Sequence, residues 1–164
     1  MQEKARSKVR NKTGARGEAP LAGSRGDAPT EVIKMRFLIA EDDATSALVL
    51  KKFLSGFGEV TVASDGMEAL EVFTDTVKNG DAFDLLCLDV MMPKVSGIEV
   101  LSVIRKLEED LGVAEEARLP IIMMTALSDM DYVDEAFDLG CDGYAAKPVD
   151  LDKVEGMMRE LGII

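Results

Sequence analysis

Histidine is absent from this 164-residue chain, and only two cysteines occur, Cys87 and Cys141. Without imidazole and with so few thiols, a zinc or haem site lacks its usual donors. Cys87 lies inside an apolar run and Cys141 in a helix-to-strand turn, a usage expected of a reduced, cytoplasmic setting rather than of a disulfide framework. No apolar stretch approaches the roughly 20 residues that a membrane-crossing helix needs, so no membrane insertion is expected. The opening MQEKARSKVRNK is charged but has no apolar segment behind it, which argues against a secretory signal.

Basic charge is scarce as well, and unevenly placed. Residues 1–34 hold eight Lys/Arg against four Asp/Glu, net +4, whereas residues 35–164 hold eleven against twenty-seven, net −16. So acidic a region repels phosphate backbones, and no nucleic-acid partner is expected for it.

Residues 1–30 contain Gly14, Gly17, Pro20, Gly23, Gly26 and Pro29, scattered charges and no apolar period. That composition is expected of a disordered basic extension, placed at 1–34. Met35 stands immediately before the first strand, so the preceding residues are expected to be a start-site overrun.

From Arg36 the pattern alternates between buried-type strands and amphipathic helices. Strands are expected at Arg36–Ala40, Glu59–Ala63, Asp84–Leu88, Leu119–Met124 and Gly143–Ala146. The first helix is expected from Ala44 to Phe57, stopped by Gly56 and Gly58. A second, capped by Asp65, turns Ala69, Leu70, Phe73 and Val77 inward. A third runs from Gly97 to Glu109. A fourth buries Val133, Ala136 and Phe137 and ends at Gly140. A fifth turns in Leu151, Val154, Met158 and Leu161. Strict βα alternation implies an α/β fold, a five-stranded doubly wound parallel sheet with helices on both faces.

Each of four strands ends on a polar station: Glu41-Asp42-Asp43, Asp89, Thr125 and Lys147-Pro148. In an open parallel sheet the loops after the strands share one edge, where ligands bind. Carboxylates, a hydroxyl and an ammonium are therefore expected to converge, a set suited to a divalent cation and a phosphoryl group. Taken alone, Glu41-Asp42-Asp43 could also cap a helix, since acids are favoured at a helix N-terminus, and capping is the expected role of Asp43. The methionines Met91, Met92, Met123 and Met124 read as core and loop filler.

The four stations, in order and in type, resemble those of a response-regulator receiver domain over residues 35–164. The run Asp89-Val90-Met91-Met92-Pro93-Lys94-Val95-Ser96-Gly97 resembles that family's phosphoacceptor loop. The resemblance implies the CheY-like strand order 2-1-3-4-5. It implies Asp89 as phosphorylation site and Mg²⁺ held by Glu41, Asp42, Asp89 and the Met91 backbone carbonyl. Lys147, Thr125 and the Ala126 N–H would contact phosphoryl oxygens, and a cis bond would precede Pro148. Thr125 and Tyr144 would form the switch that alters the surface of the fourth helix, fifth strand and fifth helix. Partners implied are a histidine kinase or phosphotransfer protein as donor and a downstream protein target.

Phosphoryl transfer relies on positioning and on neutralising charge. A carboxylate nucleophile is ordinarily ionised at neutral pH, so Asp89 is expected to need alignment rather than a base. Met91 and Leu127, two residues beyond Asp89 and Thr125, cannot orient a water, and slow self-dephosphorylation is expected. The stretch Glu108–Leu119 is longer and more acidic than usual in the family and is expected to extend the third helix by a turn.

Two other readings compete. A phosphatase of the haloacid dehalogenase type also uses Asp, Thr, Lys and Mg²⁺. Its nucleophile, however, ends the first strand in an Asp-x-Asp motif, whereas Met91 takes the second place after Asp89. A degenerate receiver serving only as a binding module is the other, although every phosphorylation residue is present. No further module is expected after Ile164, so the expected output is another protein.

Overall fold

The computed structural model describes residues 32–164. The expectation of a basic extension over residues 1–34 falls, for residues 1–31, outside the described residues. Val32–Lys34 precede the first strand without regular structure. The elements are β1 (Met35–Ala40), α1 (Ala44–Leu54), β2 (Gly58–Ala63), α2 (Gly66–Lys78), β3 (Leu85–Asp89), α3 (Gly97–Asp110), β4 (Ile121–Thr125), α4 (Tyr132–Asp138), β5 (Gly143–Ala146) and α5 (Leu151–Glu160). Short 3₁₀ turns occupy Glu115–Ala117 and Leu127–Asp129.

All strand pairs are parallel, in the order β2-β1-β3-β4-β5. Alternation along each strand divides the core. Phe37 and Ile39 of β1 face Leu50 and Leu54 of α1 and Val154 and Met158 of α5. Leu38 and Ala40 face Phe73 of α2, Leu101 and Ile104 of α3 and Ala136 of α4. Every residue of β3 and β4 is buried, as continuous apolar runs in a parallel sheet covered on both faces require. Each Leu or Ile so buried contributes roughly 1.5–3 kcal/mol, which makes the central strands the main source of stability.

Helix starts follow the sequence closely. Asp43 and Asp65 accept from the backbone N–H of Ser46 and Glu68, at 2.7 and 2.9 Å. Ser96 and Glu99 cap α3 reciprocally, satisfying donors that the first turn leaves unpaired. Asp150 accepts from Asp152 and Lys153 N–H at the start of α5.

Several boundaries differ from expectation. The first helix stops at Leu54, three residues early, because the i→i−4 ladder gives way to i→i−3 bonds from the Gly56 and Phe57 N–H to the Phe53 and Leu54 carbonyls. Gly58 does not end that helix. It opens β2, where a Cβ would collide with the Met35 carbonyl oxygen. The third and fourth strands are shifted toward their C-termini and include Asp89 and Thr125. Asp84 and Pro120 lie outside them, and the Asp84 carboxylate accepts from Arg36 N–H at 2.8 Å. Phe137 is not buried as expected but 46% exposed, and α4 buries only Ala136.

The expected extra turn of α3 is not formed. The helix ends at Asp110, and Gly112 adopts a left-handed φ of 68° that reverses the chain, a conformation glycine reaches without Cβ strain. The reason lies in Glu108. Its buried carboxylate takes the Leu119 N–H at 2.6 Å and Arg105 Nη1 at 2.7 Å, pulling the link back to the N-terminal edge of β4. A groove of about 740 Å³, lined by Phe73, Phe83, Leu111, Val113, Leu119 and Ile163 among others, opens along that edge.

Candidate phosphoryl-acceptor site

The opposite edge gathers the polar stations. Pairing of β1 with β3 aligns Ala40 with Leu88, so Glu41 and Asp89 leave neighbouring strands at the same level. Pairing of β4 with β5 aligns Thr125 with Ala146, and the Lys147 N–H donates to the Thr125 carbonyl at 2.7 Å. Lys147 is thereby delivered over the acids. Its Nζ lies 2.7 Å from Glu41 Oε2 and 3.0 Å from Asp89 Oδ2. The Lys147–Pro148 peptide is cis.

Glu41 and Asp89 are 2% and 4% exposed, whereas Asp42 is open to solvent. One carboxylate oxygen from each of the three lies within 4.8 Å of the others. Glu41 Oε1 accepts from the Asp43 N–H at 3.0 Å. Glu41 Oε2 is buried with the Lys147 ammonium 2.7 Å away as its partner. Three carboxylate oxygens so close together fit a hard divalent cation, which takes carboxylates, carbonyls and retained waters.

Burial lifts the Asp89 carboxyl to about 7; Lys147 pulls it down and Glu41 pushes it further up. The expectation that Asp89 is fully ionised at neutral pH therefore does not hold for the metal-free site: desolvation of the charged form outweighs the ammonium. Burial alone would lower Lys147, but Glu41 and Asp89 outweigh it and raise the ammonium above its ordinary value. Lys147 thus stays a cation throughout the neutral range.

The loop from Val90 to Ser96 is braced from outside the site. A Cβ on Gly97 would collide with the Asp89 carbonyl oxygen, and one on Gly66 with the Val95 carbonyl oxygen. Lys94, at a left-handed φ of 68°, donates through Nζ to Asp65 Oδ2 at 2.8 Å. Sequence reading assigned Asp65 only its cap. The Met91 N–H points back to Asp89 Oδ1 at 3.4 Å.

Other sequence-predicted residues stand further out. Thr125 is fully buried and its hydroxyl donates to the Ala126 carbonyl at 3.1 Å rather than to a carboxylate. Ala126 begins the 3₁₀ turn that leads toward α4. Tyr144, half-buried at the β5 edge, meets Phe137 of α4 edge to face at 5.7 Å between centroids, and Lys153 Nζ of α5 lies 5.3 Å from its ring centre. The exposed Phe137 was the missed participant. An aromatic one residue after the buried Ala136 is the signal that marks it.

A 2-1-3-4-5 parallel sheet with its acids at the carboxyl edge is the layout of the flavodoxin-like class of open α/β domains. Within that class the chain belongs to the response regulator receiver domain family, whose profile its residues 37–159 match. It is 36% identical over 132 residues to a probable transcriptional regulator, ycf27, of Cyanophora paradoxa, covering 80% of this chain and 49% of that protein. The chain thus spans about half the length of this relative. Among solved structures, the receiver domain of Ssk1 from Saccharomyces cerevisiae, co-crystallised with the histidine phosphotransfer protein Ypd1, aligns at a TM-score of 0.69 and 27% identity, over 79% of this chain and 90% of that one. The CheX–CheY–BeF₃–Mg²⁺ complex of Borrelia burgdorferi aligns at 0.64 and 25%, over 78% and 89%. Among the described residues no helix is long and apolar enough to cross a membrane.

Proposed function

We propose that residues 35–164 act as a phosphoacceptor in a two-component phosphorelay, with Asp89 taking the phosphoryl group. The observation that carries the reading is Lys147 Nζ set between Glu41 and Asp89, two buried carboxylates on neighbouring strands. Structural acids are rarely buried together beside a third.

An Asp89 oxygen displaces the donor's imidazole nitrogen at phosphorus. The O–P bond forms as the N–P bond breaks, and the imidazole leaves to take a proton from solvent. Lys147 offers its ammonium to a phosphoryl oxygen, a charge-assisted contact. Thr125 Oγ, once turned away from the Ala126 carbonyl, and the Ala126 N–H donate to the others. Glu41, Asp42, Asp89 and the Met91 carbonyl would hold Mg²⁺, which offsets repulsion between the incoming dianion and the acids. Thr125 drawn toward the phosphoryl group frees space for Tyr144, and the α4–β5–α5 surface then favours a second arrangement.

The donor is a histidine kinase or phosphotransfer protein. The Ssk1 receiver crystallised with such a partner supports that class, and the Mg²⁺ in the CheY complex supports the cation. A downstream protein receives the signal, in the cytoplasm, where the free and buried Cys87 and Cys141 stay reduced. The chemistry is self-catalysed single transfer with slow dephosphorylation rather than turnover.

Incubation with acetyl phosphate and Mg²⁺ followed by intact-mass analysis tests this. One added phosphoryl group, lost with EDTA and with Asp89→Asn, is expected. Labelling undiminished in Asp89→Asn overturns the assignment.

A further inference from the structure

We propose that the α4 face docks a cationic, amphipathic segment of a partner protein, with Phe137 as its apolar anchor. This rests on the phosphoacceptor reading for its regulation, though not for the charge of the partner. From Leu119 to Ala146 the chain contains no Lys or Arg. Asp129, Asp131, Asp134, Glu135 and Asp138 fall within that span, and among the described residues none of these five pairs with a base. On the same stretch Leu127, Met130, Tyr132 and Phe137 are 76%, 39%, 40% and 46% exposed. Exposed apolar side chains interspersed along one short stretch with uncompensated acids suit an apolar anchor flanked by Lys or Arg.

A second copy of this chain does not fit. A symmetric pairing through α4 would set five acids against five, a like-charge contact that disfavours the complex. Basic partner segments face no such repulsion.

The face is also built to respond. Phe137 rests edge-on against Tyr144, the aromatic at the β5 edge. The helix that carries Phe137 has seven residues, no side-chain cap and one buried side chain. Rotation of Tyr144 removes the support under Phe137 and changes the anchor that a partner meets.

The test uses the full chain with Mg²⁺ and beryllofluoride, and two fluorescein-labelled synthetic helices of equal length. One carries a Leu stripe flanked by Lys and Arg, the other the same stripe flanked by Glu. Fluorescence anisotropy at 150 mM salt is expected to show binding of the cationic helix alone. Phe137→Ala and Asp134→Lys/Asp138→Lys should each weaken it at least tenfold. Glu109→Lys/Glu115→Lys, an equal change in net charge on an exposed stretch elsewhere, should weaken it less than threefold. No binding of the cationic helix, equal binding of the acidic one, or equal losses in both charge-reversed pairs would overturn the proposal. Acetyl phosphate labelling of the same preparations reports on Asp89 separately, so either reading can fail while the other stands.

Discussion

Arg105 and Asp142, 37 residues apart, are joined by Nη2 and Oδ2 at 3.1 Å beneath the edge opposite the acids. The same Asp142 oxygen takes the Ile121 N–H, and Arg105 also donates to Glu108, to the Leu119 carbonyl and, through Nε, to the Gly140 carbonyl. One guanidinium thereby ties α3 to the entrances of β4 and β5.

Arg105→Ala leaves the buried Glu108 carboxylate without a cation, and a loss of about 3–5 kcal/mol in unfolding free energy is expected. Urea melts of Arg105→Ala, Glu108→Ala and the double variant should show the double losing less than the sum. Phosphoryl uptake, at the other edge, should survive in whatever fraction stays folded. A loss below about 1 kcal/mol, the range of an exposed ion pair, contradicts the network.

Asp89 titrates near 7 in the metal-free fold and near 3.9 unfolded. Between those values the folded chain binds the extra proton, so metal-free stability falls as pH rises from about 4 to 7 and levels off above. Asp89→Asn removes the charge and keeps the shape. In EDTA at pH 8 it should melt above the wild type, with the gap closing toward pH 4. A lower melting temperature at pH 8 contradicts the burial argument.

Lys147→Met separates two effects of the ammonium. It leaves Glu41 and Asp89 facing one another, costing about 1–3 kcal/mol of metal-free stability at pH 8. With the competing ammonium gone, Mg²⁺ should bind more tightly by calorimetry while acetyl phosphate labelling slows. Labelling at the wild-type rate would remove Lys147 from the site.

Met91 and Leu127 are 50% and 76% exposed, and neither carries a group that can align a water. The acyl phosphate is therefore expected to outlast minutes. Met91→Asn with Leu127→Gln should hasten its loss by at least about tenfold, since a positioned polar side chain contributes catalysis of that order or more. Loss from the wild type within seconds, followed by mass spectrometry, would refute this.

The alternation of apolar runs and capped helices determined, from the amino acids alone, the five βα units, the helix caps at Asp43 and Asp65, the third helix's start at Gly97, and the edge where Glu41, Asp89, Thr125 and Lys147 emerge. These are local or periodic properties, set by side-chain polarity and spacing along the chain. Only tertiary structure decided what depends on neighbours distant in sequence. Burial made Asp89 a weak acid, and the β4–β5 pairing set Lys147 between it and Glu41. Arg105 and Glu108 turned an expected extra helical turn into a loop. Phe137 stayed half in solvent beside Tyr144 because β5 offers α4 an edge rather than a face. Desolvation and long-range hydrogen bonding act through space, and no window of sequence contains them.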